Sequence, residues 1–258
     1  MDPIPVLLQF TASHYNEKAR WALDWKRVSY ARRSLLPGLH APRVWLRTGQ
    51  RAVPVLVLGR RAIADSSRII ETLEREHPDP PLYPADPRER ARALELEEFF
   101  DTELGPHVRR VAFHALLGDG DYFCALFAQE AGPLARRAYR AFFPVTRSLI
   151  ERDLRIDAER AEASRARMDA AFERLEKEIG PSGYLVGDRF SVADLAAAAL
   201  ATPIVQPPEF PHAWPSALPE PLRRLREAYA SSAAFRWVRD VYRRQRGSSS
   251  AITRSGGA

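Results

Sequence analysis

A single cysteine, Cys124, occurs among 258 residues, which excludes an intrachain disulfide and a metal cluster built on thiolates. The six histidines are scattered and form no H-E-x-x-H or other close ligand spacing, so no metal is expected. A glycine-rich phosphate loop and zinc-finger ligand pairs are also lacking. No apolar run approaches the roughly 20 residues that cross a bilayer. The opening M-D-P-I-P-V-L-L-Q-F has an acid at position two and only a brief apolar stretch, unlike a secretory leader. These absences make the cytoplasm the expected compartment, with no membrane partner.

The remainder is ordinary for a globular chain, with 45% apolar and 28% charged residues and enough length for two modest domains. The formal charge of +6 is unevenly placed. Residues 1–83 hold 13 basic and 8 acidic side chains, and 241–258 hold four arginines and no acid. The middle, 84–240, is net negative, with 22 basic and 25 acidic residues. No nucleic-acid motif accompanies the basic ends, so small anionic ligands are expected and a nucleic acid is not.

Local patterning divides the chain in two. Val6–Phe10 reads as a strand, Tyr15–Arg27 as an amphipathic helix and Val28–Arg32 as a second strand. Val53–Leu58 and Arg61–Ala64 form a hairpin around Gly59-Arg60, and Ser66–Glu76 is the next helix. The order β-α-β-α-β-β-α suits a small two-layer domain over 1–83. The proline-rich stretch His77–Pro84 reads as a stiff linker. Beyond it, 84–240 shows helical spacing, clearest at Arg88–Phe100, Gly105–Leu117, Asp157–Ile179, Ser191–Leu200 and Pro221–Tyr229. The tail 241–258 has little to bury and is expected to be disordered.

Two short segments carry the most information. In V-P-V-L-V-L-G-R-R-A-I-A-D-S-S at 53–67, a strand opening on proline leads to an acid and two hydroxyls at a helix start. That order sets backbone hydrogen-bonding groups beside a helix N-terminus, an arrangement suited to a small peptide-like anion. In F-S-V-A-D-L at 190–195, Ser191 and Asp194 form a capping box with Phe190 and Leu195 as its staple.

The chain resembles the glutathione transferase superfamily at several separated places over about residues 4–240. S-H-Y-N-E-K-A-R-W-A-L-D at 13–24 is similar to the first-helix segment of many bacterial members. V-P-V-L at 53–56 is similar to the strand whose proline is cis in that family, and D-S-S-R-I-I-E-T-L-E at 65–74 to its glutathione-binding helix start. Y-L-V-G-D-R-F-S-V-A-D-L at 184–195 resembles the capping-box region of its helical domain. The resemblance implies an α/β thioredoxin-like N-terminal domain followed by an all-α C-terminal domain, with glutathione as co-substrate. A homodimer is implied by the same likeness.

The resemblance also implies roles. Val53 beside cis Pro54 would bind the cysteinyl part of glutathione, and Asp65 with Ser66 its γ-glutamyl end. Gln50 and Arg51 are the favoured partners of the glycyl carboxylate, with His40 a third candidate. Ser13 falls at the first cysteine of the family's glutaredoxin-like C-P-Y-C pattern and Asn16 at its second. Without either thiol, reductase and mixed-disulfide chemistry are excluded there. Ser13 is instead expected to donate to the glutathione sulfur, with His14 contributing, although a plain N-cap role explains Ser13 as well. Phe10, Thr11, Arg109, Phe113, His114 and Leu117 are expected to line a site for a small hydrophobic electrophile. The expected activity is conjugation in detoxification. Glutathione-dependent isomerase, lyase or peroxidase chemistry, and non-catalytic glutathione binding, are the alternatives.

Overall fold

In the computed structural model, which describes residues 3–252, β1 (Val6–Gln9) runs through the middle of a five-stranded sheet. It is followed by α1 (His14–Trp25), β2 (Tyr30–Ser34), α2 (Ala41–Thr48), the hairpin β3 (Val55–Leu58) and β4 (Arg61–Ala64), and α3 (Ser66–Glu76). β1 pairs parallel with β2 and antiparallel with β3, and β3 pairs antiparallel with β4. Gly59 turns the hairpin at a φ of 58°, a region where a side chain is strained. The second strand begins two residues later than its composition suggests, because Arg32 and Arg33 are recruited to pair with Leu7 and Leu8.

The rest of the chain is helical up to its last few described residues. α4 (Pro87–Phe99) continues through a π-helical stretch, Phe100–Leu104, into α5 (Gly105–Leu116). The span from 119 to 156, whose breaks are hard to place by periodicity, forms α6 (Gly120–Phe127), α7 (Pro133–Ala141) and α8 (Phe143–Asp153). α9 (Ala158–Glu178), α10 (Val192–Leu200), α11 (Thr202–Val205), α12 (Glu220–Tyr229) and α13 (Ala233–Gln245) complete the domain. A mixed β-α domain joined to an all-α domain is the expected fold class. Cys124 is buried in α6 as a small apolar side chain.

α10 is buried along its whole length and organises the helical domain. Ser191 and Asp194 make the expected capping box. Asp194 Oδ2 accepts from Ser191 N at 2.9 Å, and Oδ1 accepts from Leu185 N at 2.8 Å, which ties the preceding loop to the helix start. Phe190 then stacks against Trp21 of α1, with ring centres 5.5 Å apart, and joins the two domains.

α1 is enclosed on nearly all sides, yet Glu17, Lys18, Arg20 and Asp24 all lie on it. Buried charges need partners, and each of these has one. Arg20 donates to Glu17 at 2.8 Å and to Gln9 of β1 at 2.7 Å. Lys18 pairs with Glu97 at 2.8 Å and with Asp101, bringing the helical domain against the first. Burial works against the Lys18 ammonium, but those two carboxylates more than offset it and raise its pKa.

The expectation of disorder over 241–258 is corrected for residues 241–252; 253–258 lie outside the described residues. α13 runs to Gln245, and Arg246 is buried, donating from Nε to Glu17 at 2.6 Å and lying 2.9 Å from Asp24. Ser250 N donates to Asp24 at 2.7 Å. β5 (Ala251–Ile252) then adds in parallel to the free edge of β2. The polar composition of the tail is misleading because its arginine neutralises two acids some 220 residues earlier. Arg246→Ala leaves Glu17 and Asp24 short of a buried counter-charge and should lower unfolding free energy by about 3–5 kcal/mol. Urea denaturation measures this, and a change under about 1 kcal/mol would show that the tail contact carries no weight.

Candidate functional site

Strand register gathers the two helix starts. Leu8 pairs with Val55 across β1 and β3, and Val55 pairs with Ala64 across β3 and β4. One residue beyond, Pro54 stands between Gln9 and Asp65, and the Val53–Pro54 peptide bond is cis. Lys18 Nζ donates to Ser67 Oγ at 2.8 Å, which fixes the second turn of α1 beside the first turn of α3. Ser13, Val53, Pro54, Asp65 and Ser66 therefore lie at one end of the sheet.

Ser13 is the N-cap of α1, its Oγ accepting from Asn16 N at 3.4 Å. An accepting hydroxyl keeps its own proton to donate, so capping and an outward hydrogen bond are compatible. Asn16 replaces a thiol with an amide that accepts from Phe10 N at 3.3 Å and braces β1 against the cap. His14 turns the other way. It is buried, and because a carbonyl only accepts, its Nε2 carries the proton donated to Gly105 O at 3.0 Å. Burial, with Arg109 nearby, lowers its pKa to about 3. His14 is thus a neutral interdomain contact at ordinary pH, with its Nε2 proton committed to Gly105 and not to a sulfur beside Ser13, contrary to the contribution expected of it.

At the α3 start, Asp65 has a φ of 81°, outside the usual range for a residue with a side chain. Its Oδ1 accepts from Ser67 N at 2.9 Å and Arg68 N at 3.2 Å. The same carboxylate is exposed and keeps Oδ2 for other contacts, while Ser66 is buried at the helix N-terminus. Gln50 accepts from Ala52 N at 3.1 Å through Oε1, leaving its NH₂ as the free half of the amide. Arg51 is exposed next to it. His40 sets its ring edge-on to Phe10, 4.6 Å between centres, and its buried Nδ1 has no hydrogen-bond partner.

The expected acceptor wall is divided. Phe10 meets Phe127 edge-on at 6.4 Å, and Phe113 stacks on Phe127 at 5.9 Å, so these two residues converge through α6. Thr11 is fully buried and its hydroxyl donates to Leu126 O at 2.8 Å, which takes it out of a substrate-lining role. Leu117 is likewise buried in the core at the end of α5. His114 faces a separate groove between α5, α9 and α12. Arg109 lies over the Tyr15 ring at 5.9 Å, near the junction of α1 and α5.

Descriptions of the glutathione S-transferase N-terminal and C-terminal domains match residues 7–81 and 157–243. The chain belongs to the glutathione S-transferase superfamily. Glutathione S-transferase U24 of Arabidopsis thaliana is 32% identical over 108 residues, 41% of this chain and 50% of the relative. A probable maleylacetoacetate isomerase of Caenorhabditis elegans is 36% identical over 91 residues, 34% of this chain and 42% of the relative. The chain spans about half the length, or less, of the curated relatives it matches. Among solved structures, a glutathione S-transferase from Methylobacterium radiotolerans in complex with glutathione sulfonate shares the fold, with TM-score 0.55 and 22% identity over 91% of this chain and 93% of that one. The beta-etherase LigF from Sphingobium sp. strain SYK-6 does so with TM-score 0.61 and 18% identity, over 92% and 99%.

Within this transferase-superfamily fold, the resemblance points to Glu98 or Asp101 as an acid approaching the glutathione site of a neighbouring subunit. Asp101 accepts from Ser67 Oγ of its own chain at 2.7 Å and pairs with Lys18, linking the α3 start to the helical domain. Other residues at the site escape sequence reasoning. Phe123 and Phe127 form the aromatic backing of Phe10, and Asp153 at the end of α8 acts electrostatically on both His40 and Arg109. Only the aromatic spacing F-C-A-L-F at 123–127 offers a visible cue.

An imidazole with a lowered folded pKa stabilises above its unfolded value of 6.5, and that stability drains as pH falls toward about 3. In His14→Phe this drain should disappear, making the acid limb of unfolding free energy shallower by about 4 kcal/mol. An acid limb identical to wild type, measured by urea unfolding from pH 7 to 3, would refute the assignment.

Proposed function

We propose that this protein binds glutathione at the end of the sheet where α1 and α3 begin and directs its sulfur at a small hydrophobic electrophile. The convergence of cis Pro54 with the starts of α1 and α3 is the observation that carries the reading. The backbone of Val53 would hold the cysteinyl part. Asp65 and the N-terminus of α3 at Ser66 would take the ammonium and carboxylate of the γ-glutamyl end. Gln50 and Arg51 offer an amide and a guanidinium for the glycyl carboxylate. An acid for the ammonium and a cation for a carboxylate support the reading by their charge.

Ser13 Oγ, at the start of α1, has a proton free for the sulfur. A hydrogen bond to an anion contributes about 1.5–3 kcal/mol, equivalent to about one to two pKa units of thiol acidity. The helix terminus adds to it. Conjugation, isomerisation and ether cleavage can all start from that sulfur, so the second half of the site selects among them. Phe10 and Phe113 would supply its apolar wall, and Arg109 a cation at its rim.

A second reading, glutathione binding without catalysis, is favoured by one observation. The space beside Phe10 is occupied by the chain's own Phe127 and His40, and Thr11 is committed to α6. The two readings separate in one experiment. The ultraviolet absorbance of thiolate is followed against pH with glutathione bound to wild type and Ser13→Ala. The transferase reading expects an apparent thiol pKa below the free value of about 8.5, raised by about one to two units in the variant, with affinity changed less than about threefold. Bound glutathione with an unshifted thiol would leave only the binding role, and no measurable affinity would overturn both.

A further inference from the structure

The hairpin of α7 and α8 reaches the site just described through Asp153, and its outer surface is largely unpartnered. It falls between the two matched domains, at 133–153. Every residue of α7 is exposed except Tyr139, whose hydroxyl donates to Pro37 O at 2.9 Å and anchors the hairpin to the loop before α2. α8 buries Phe143, Thr146 and Ile150 on one side. A second apolar stripe, Phe142, Val145 and Leu149, spaced i, i+3, i+7 and turned about 100° from the buried one, is exposed. Leu134 of α7 is 82% exposed as well. A soluble helix normally flanks its buried stripe with polar side chains, and here an apolar stripe beside it faces outward.

α2 adds to the same surface. Gly38, just before it, lies against Thr146 of α8, and Trp45 and Leu46 project from α2 with 56% and 78% exposure. The charge is predominantly of one sign. Segments 39–51 and 132–155 together hold nine arginines against two acids. Among the described residues, Arg43, Arg47, Arg137 and Arg152 have no carboxylate within ion-pair distance.

We propose that α2 and the α7–α8 hairpin form a docking surface for an anionic lipid bilayer. Exposed aliphatic and aromatic side chains among arginines match the interfacial zone, where apolar groups enter the acyl boundary and cations meet phosphate headgroups. A second copy of this chain fits poorly, because a twofold contact would set the same arginines against each other. A projecting helix with one buried anchor also suits a broad yielding surface better than a partner's groove. The contact is peripheral: no described helix is long and apolar enough to cross a membrane. It departs from the expectation of no membrane partner, which addresses spans and leaders only.

Co-sedimentation with vesicles tests this using the full chain. Binding is expected to vesicles containing phosphatidylglycerol, to be weak on phosphatidylcholine alone, and to fall as salt is raised. Arg137→Gln with Arg152→Gln should weaken binding by about tenfold or more, and Phe142→Ser with Leu149→Ser by a similar factor. All four side chains are exposed, so thermal midpoints should stay near wild type. No binding to anionic vesicles, equal binding to both lipids, or loss of self-association in the serine variant measured by sedimentation velocity would each overturn the proposal.

Discussion

The structure turns on the charges of α1. A helix packed against the sheet on one side and a second domain on the other would ordinarily be apolar all round. This one holds two acids and two bases in places where water cannot reach them. Desolvating those groups is tolerable only if each meets an opposite charge with good geometry. That demand reaches across the molecule. It draws Arg246 in from the far end of the chain, sets Glu97 and Asp101 against Lys18, and aligns Arg20 with the end of β1.

The candidate site inherits its shape from those pairings. Ser67 and Lys18 share Asp101, so the start of α3 is held to α1 and to the π-helical stretch by one hydrogen-bonded node. Asp65 lies two residues before Ser67 and adopts its unusual backbone at that point. On the other flank, Arg20 donates to the carbonyl of Phe10 at 3.1 Å and of Ser13 at 3.4 Å, fixing the turn from strand to helix. The residues proposed to touch glutathione are thus supported from behind by buried charge rather than by loops alone.

How much of this could be read in the sequence depends on range. α3 and α10 are legible because their caps, Asp65 and the Ser191–Asp194 box, act within three residues. The hairpin at Gly59 is equally local, whereas the cis bond before Pro54 is implied only by the family resemblance. The ordered tail is not legible, since Arg246 and Glu17 are 229 positions apart and nothing in G-S-S-S announces a strand. Thr11 and Leu117 mislead for a related reason. A residue one step along a loop or helix faces the core or the cleft according to neighbours the sequence does not place, and α6 captures the Thr11 hydroxyl. His14 stands beside Ser13 in the chain, but helix phase turns its ring toward α5.

A double-mutant cycle on Lys18 and Asp101 tests the central claim most directly, with Lys18→Met, Asp101→Leu and the pair compared by urea unfolding. Mutual compensation predicts that each single change destabilises strongly and that the pair recovers a coupling of about 2 kcal/mol or more. Single effects that simply add, to within about 0.5 kcal/mol, would contradict the view that paired charges on α1 hold the two domains in register.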